Sequence, residues 1–260
     1  MRLRLISLLP MAFAAVLVSE YLTPAATFAQ SPTASAEQSR FSERVVRDVA
    51  GWKVYIHPDL LKQHAADTKK ALVLLRKQLQ EIVRKLPKPA VEKLRTVPLY
   101  FSPVYPGVQP RAEFHPGAGW LSDNGRDPEM AKGIEFTNIT IFEAETVRMP
   151  NFAMHELAHE WHDLFLPDGF QNADVIRAFD SAKSGGRYDR VERFHGVSGR
   201  RTTEKAYAMT NPMEYFAEGT EACFSRNDYF PYDRGQFVKH DPDGLAVIES
   251  LWGVQPRGRQ

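Results

Sequence analysis

"PNFAMHELAHEWHDLFLP", Pro150 to Pro167, places three histidines, two glutamates and an aspartate inside an otherwise apolar run. His155 and His159 are four residues apart. On a helix turning about 100° per residue they project from one face, a turn apart, and two imidazoles can meet one cation. Glu156 is rotated about 100° from His155, near enough to reach a water on that cation without ligating it, where a general base works. Leu157, Trp161 and Leu164 fall on the opposite face, so the helix can bury its back. Pro150 near the start and Pro167 past the end bracket it.

Zinc held by two histidines needs a third protein ligand and leaves a fourth position for water. Downstream stands "AYAMTNPMEYFAEGTEACFSR", Ala206 to Arg226. Asn211 suits an N-cap and Pro212 the first helical position, while Met213, Phe216, Ala217, Cys223 and Phe224 form an apolar side. Glu214, Glu218 and Glu221 share the other side. Three like charges on one face repel unless something positive sits there, and a dication beside two histidines would supply it. The plainer account makes Glu214 the partner of Asn211 in a capping box and leaves the other two in solvent.

Together these stretches resemble the zincin metallopeptidases of the anthrax lethal factor type and the related bacterial Pro-Pro endopeptidases. In the lethal factor type the histidine-glutamate helix is followed, some tens of residues later, by a tyrosine, an asparagine and an "E-aromatic-F-A-E" helix. Here the same elements are "HELAH" at His155 to His159, Tyr207, Asn211 and "EYFAE" at Glu214 to Glu218. The match runs from Pro150 to Cys223. The resemblance implies that His155, His159 and Glu214 bind one zinc ion, that Glu156 is the base, and that Tyr207 turns its hydroxyl toward the substrate oxyanion.

Other side chains near the motif are assigned lesser roles. His162 shares the histidine face, but two helical turns separate it from His155 by about 10.5 Å along the axis, too far for one zinc. It is read as lying behind the ligands or touching substrate. Glu218 is expected to orient a ligating histidine or Tyr207, and Asp163 to do the same for His159. His195 reads as a surface histidine, Trp120 as a packed aromatic or a groove wall, and Cys223 as a buried, inert thiol.

Beyond the motif, 260 residues at 43% hydrophobic and 25% charged suffice for one substantial core. Lys plus Arg number 33 and Asp plus Glu 32, so charge gives no reason to invoke nucleic acid. Met1 to Arg4 carry two arginines, Leu5 to Val18 is apolar, and Thr27 and Ala29 are small, as a signal peptidase requires. Residues 1–29 therefore read as a secretory signal. The alternative is a retained membrane tether, but the apolar run is shorter than the roughly 20 residues that span a bilayer. A single cysteine precludes an intramolecular disulfide, which points to a bacterial periplasmic or secreted protein, a monomer without a membrane anchor once the signal is cut.

Residues 30–48 are polar and small at first and read as a linker that becomes ordered near Phe41, with the folded domain at 49–260. "GWKVYIHP" and "VPLYFSP" alternate as strands, and "GIEFTNITIFEAE", Gly133 to Glu145, supplies one or two more. From Asp59 to Leu86 apolar positions recur every three or four residues, one long helix. The Gly- and Pro-rich segment 104–130 reads as a loop or broken hairpin.

Strands first and helices later give an α+β fold. The resemblance makes it zincin-like: a small mixed sheet with a long scaffold helix, then a helical subdomain carrying the active-site helix and the third-ligand helix. The expected function is a secreted zinc-dependent endopeptidase acting on a peptide or protein substrate laid along an exposed strand within Gly133 to Glu143. The Pro-rich loop Pro103 to Pro116 is expected to shape specificity. Hydrolysis of a non-peptide or cell-wall amide, or an inactive zinc-binding scaffold, are the alternatives. The intact Glu156 argues against the scaffold, because a purely structural site wants four protein ligands and no base.

Overall fold

A computed structural model describes residues 43–254. The signal reading and most of the linker lie outside them. The first strand begins inside the stretch assigned to the linker: β1 (Val45–Val49) turns at Ala50 and Gly51 into β2 (Trp52–Ile56), pairing antiparallel. The alternation of buried Trp52, Val54 and Ile56 with outward Lys53 makes β2 a strand with one face in the core.

The long helical stretch is two helices rather than one. α1 (Pro58–Gln63) is capped by the His57 side chain, which accepts from the Asp59 amide, and His64 leaves helical geometry before α2 (Ala65–Lys85). Periodicity cannot reveal a one-residue interruption, because the apolar phase resumes almost unchanged. Leu75, Leu79 and Ile82 of α2 pack in the core, and α3 (Lys88–Leu94) leads into β3 (Leu99–Phe101).

Segment 104–130, read as a loop or broken hairpin, carries β4 (Ala112–Phe114), which pairs antiparallel with β5 (Ile134–Phe136), and α4 (Ala118–Asp123) between them. The sheet order is β1-β2-β3-β5-β4, so β5 lies inside the sheet and β4 is its edge. This overturns the placing of the exposed strand within Gly133 to Glu143. After Phe136 that stretch turns helical, through a 3-10 turn at Ile139–Ile141 into α5 (Phe142–Arg148). The β-branched run favoured a strand by propensity, but burial of Ile139 and Phe142 in the core sets the backbone instead.

The helical half then follows, interrupted by a hairpin: α6 (Phe152–Phe165), α7 (Ala173–Ser184), β6 (Val191–Phe194), β7 (Arg201–Glu204), α8 (Pro212–Phe224), α9 (Arg234–His240) and α10 (Pro242–Leu251). The fold is α+β. Among the described residues no helix is long and apolar enough to cross a membrane.

Candidate metal centre

The two motif helices hold their places by capping and by packing. Asn151 accepts the Met154 amide at 3.0 Å to start α6, and its amide donates to Gln78 O and Glu81 Oε2 on α2. Gln78 Oε1 in turn accepts from the Ala153 amide. The long helix is thus hydrogen-bonded to the first turn of α6, which fixes where the histidines begin. Leu157 and Trp161 are buried on the back, Trp161 stacking on Trp252 with ring centroids 4.7 Å apart. Leu164 is 42% exposed and does not belong to that buried back.

Asn211 accepts the Glu214 amide at 2.9 Å and Pro212 opens α8, as the sequence suggests. Phe216, Ala217, Cys223 and Phe224 are buried, while Met213 lines the cleft instead. The α6 and α8 helices pack side by side and bring three ligand atoms together. His155 Nε2 and His159 Nε2 are 3.1 Å apart, and Glu214 Oε2 lies 3.2 Å from the first and 3.4 Å from the second.

Those three edges fit a cation. Ligand atoms about 2.1 Å from a tetrahedral ion stand about 3.4 Å from one another. Glu214 Oε2 is buried yet accepts no hydrogen bond. Glu221 Oε1 sits 2.7 Å from His155 Nδ1, and with the proton on Nδ1 the lone pair of Nε2 faces the other two acceptors. The three atoms converge on one point, spaced as the ligands of a single cation would be. The residues present can hold a metal ion.

Electrostatics around the trio follow from burial and proximity. Burial opposes charge on His155, but Glu214 and Glu221 more than offset it and raise its pKa well above that of an ordinary histidine. Burial likewise opposes charge on Glu214, and His155 and His159 outweigh it, leaving this carboxyl far below the carboxylate range. Glu218 is pushed well up by burial, then by Glu221 and Asp228, and Glu221 is raised to about 7 by burial, tempered by His155.

His155, Glu218 and Glu221 form a second trio whose ligand atoms lie within 4.8 Å of one another, but all three are buried. The first trio opens to a cleft of about 320 Å³, walled by Arg111, Ala112 and Phe114 on one side and Tyr207 and Met213 on the other. Glu156 lines this cleft beside His155 and His159. Its Oε2 accepts the Phe114 amide of β4 at 2.9 Å, so the edge strand fixes the carboxylate. In the β4 and β5 pairing Arg111 O accepts the Thr137 amide and the His115 amide donates to Gly133 O, which turns the backbone polar groups of Ala112 and Phe114 to the cleft side. The Tyr207 hydroxyl stands 3.4 Å from Glu214 Oε1 at the rim, its side chain 46% exposed, and its pKa is raised by burial and by Glu214.

Several expected neighbours are elsewhere. Glu221, rather than Glu218, meets His155 Nδ1; Glu218 Oε1 is 3.9 Å away. The two differ by three residues on one helical face, and only the crossing of α6 and α8 decides between them. Asp163 pairs with Lys132 at 2.5 Å and does not orient His159. His162 is buried between the Phe170 and Phe216 rings with neither nitrogen hydrogen-bonded, its pKa lowered to about 4 by burial, and it cannot touch substrate from there. Glu160 is likewise sealed in without a partner, raised to about 8 by burial and by Asp163. His195 bonds Thr202 in the β6 and β7 hairpin, and Trp120 stacks on His115 outside the residues that line the cleft. From the Pro-rich loop, Arg111 to Phe114 and Pro116 do line it.

Comparison of the chain with protein-family models, with characterised proteins and with solved structures finds no match in any of the three.

Proposed function

We propose that this chain is a zinc-dependent endopeptidase of zincin type. The observation that carries the reading is a trio of three protein ligands facing an open cleft, with a glutamate outside the trio beside it: His155, His159 and Glu214, with Glu156. A structural site would be closed by a fourth protein ligand. When bound there, zinc supplies Lewis acidity, lowering the pKa of a water to about 7 and polarising the substrate carbonyl.

The chain's own residues do the rest. An extended peptide adds to the free edge of β4 through the backbone of Ala112 and the Phe114 carbonyl, the Phe114 amide being held by Glu156, which sets the scissile bond over the trio. Glu156, steadied by the Phe114 amide, takes a proton from the attacking water and delivers it to the leaving amine. Tyr207 donates a hydrogen bond to the carbonyl oxygen as it gains charge. Glu221 keeps the proton of His155 on Nδ1 and its lone pair on Nε2. An edge strand lying along the cleft favours a peptide over a compact amide, because only an extended backbone can use it.

The test is cleavage of a peptide library beside two variants. Glu156→Gln is expected to keep zinc and lose about 10²- to 10⁴-fold in kcat. Glu214→Ala is expected to lose zinc and activity together. Undiminished activity in Glu156→Gln ends the hydrolytic reading.

A further inference from the structure

The segment read from sequence as a loop or broken hairpin is folded around a charge cluster that the reaction does not use. Glu113 alternates with Ala112 and Phe114, so its side chain leaves the opposite face of β4. It lies directly across from Glu135 of β5 in the sheet register. Two carboxylates facing each other across a ladder repel, and β4 has only three residues and one neighbour to hold it.

Arg126 stands between them. Its Nη1 is 2.6 Å from Glu113 Oε2 and 3.2 Å from Glu135 Oε2, and the guanidinium is sandwiched between the Tyr105 and Trp120 rings at 4.7 and 4.8 Å. His115 Nε2 at 3.0 Å and the Tyr105 hydroxyl at 2.7 Å also bond Glu135. Arg126, Glu135 and His115 are buried, whereas Arg111, 3.3 Å from Glu113 Oε1, is half-exposed and a weaker partner.

The same three-residue strand carries the amide that holds Glu156 and the edge offered to substrate. We propose that Arg126 is a positioning residue for the cleft: by neutralising the Glu113 and Glu135 pair it fixes β4 at the depth where Phe114 N–H meets Glu156. This rests on the reading of Glu156 as base and β4 as the substrate's strand. It assigns the Gly- and Pro-rich segment a role in building the site rather than in closing over it.

The experiment compares the zinc-loaded full chain with Arg126→Met, Arg126→Lys and the double variant Arg126→Met/Glu113→Gln, by hydrogen exchange over residues 110–116 and by kinetics on a peptide the parent cleaves. Arg126→Met is expected to exchange faster there and to lose on the order of 10²-fold in kcat/KM with zinc content unchanged. Arg126→Lys, which keeps the cation, falls between it and the parent. The second change, Glu113→Gln, removes the repulsion and recovers most of both losses, which a residue that merely fills space would not allow. Unchanged exchange in Arg126→Met, or a double variant no better than the single, overturns the proposal. Should Arg126→Met fail to fold, recovery is read as folding restored by Glu113→Gln, and its absence counts against the proposal. If the parent cleaves no peptide, the functional reading fails while the exchange comparison still decides the role of Arg126.

Discussion

Two clusters of acidic side chains lie on either side of β4, and only one of them is satisfied. On the far face Glu113 and Glu135 share Arg126, with His115 and Tyr105 filling the remaining positions on Glu135. On the cleft side Glu214, Glu218 and Glu221 gather around His155, and each keeps one buried oxygen without a hydrogen bond. Unpaired buried acceptors cost free energy, so a fold retains them where something else completes them. The closed cluster shapes the strand; the open one is the place for a cation. Glu160 marks a third outcome, a buried carboxyl without a hydrogen-bond partner, whose pKa burial and Asp163 push up to about 8 against the pull of Lys132.

The largest effect that would sharpen this contrast falls on Tyr207, the rim group facing the open cluster. Tyr207→Phe is expected to lower kcat by about 10²- to 10³-fold with KM and zinc content little changed, as measured by steady-state kinetics. A rise in KM alone would make the hydroxyl a substrate-binding group. Next, Glu221→Gln unties His155 from its orienting carboxylate, and zinc affinity by competition with a chelator is expected to fall about 10- to 100-fold. The corresponding change at Glu218 should do less, because Glu218 stands farther from Nδ1.

The smallest effect on turnover is expected at Glu160, outside both clusters. Its folded-state pKa of about 8 lies above the ordinary 4.5, so between those values the folded chain binds more protons than the unfolded one and stability falls as pH rises through that window. Glu160→Gln removes that dependence. Its melting temperature relative to the parent should rise from pH 5 to pH 8, by an amount on the order of a few kcal/mol in stability, since each pKa unit is worth about 1.4 kcal/mol. Parallel pH profiles for parent and variant would show that Glu160 finds a partner in the folded chain.

How far the sequence could carry this is itself a matter of interaction range. The helix of His155 and the helix of Glu214 are legible because their signals are local: a 3.6-residue period, Pro150 and Pro167 bracketing the first, Asn211 and Pro212 opening the second, while the Asn151 cap goes unread. Convergence of the two helices was expected only from the chemistry of a third ligand and from the resemblance. β4 was not legible, since "RAEF" sits among Gly and Pro residues and becomes a strand only by pairing with β5, two dozen residues on. The strand expected over Ile139 to Glu145 fails for the same cause in reverse, local β propensity overruled by core burial of Ile139 and Phe142. The pairing of Asp163 with Lys132, and the choice of Glu221 over Glu218, depend on how distant elements cross, which no local pattern records.

One cation at the open cluster is expected to join the two helices. Anomalous scattering from a zinc-soaked crystal, collected on either side of the zinc absorption edge, reads this directly. A single peak is expected about 2.1 Å from His155 Nε2, His159 Nε2 and a Glu214 oxygen. A peak seated instead among His155 Nδ1, Glu218 and Glu221, or none at saturating zinc, would contradict it.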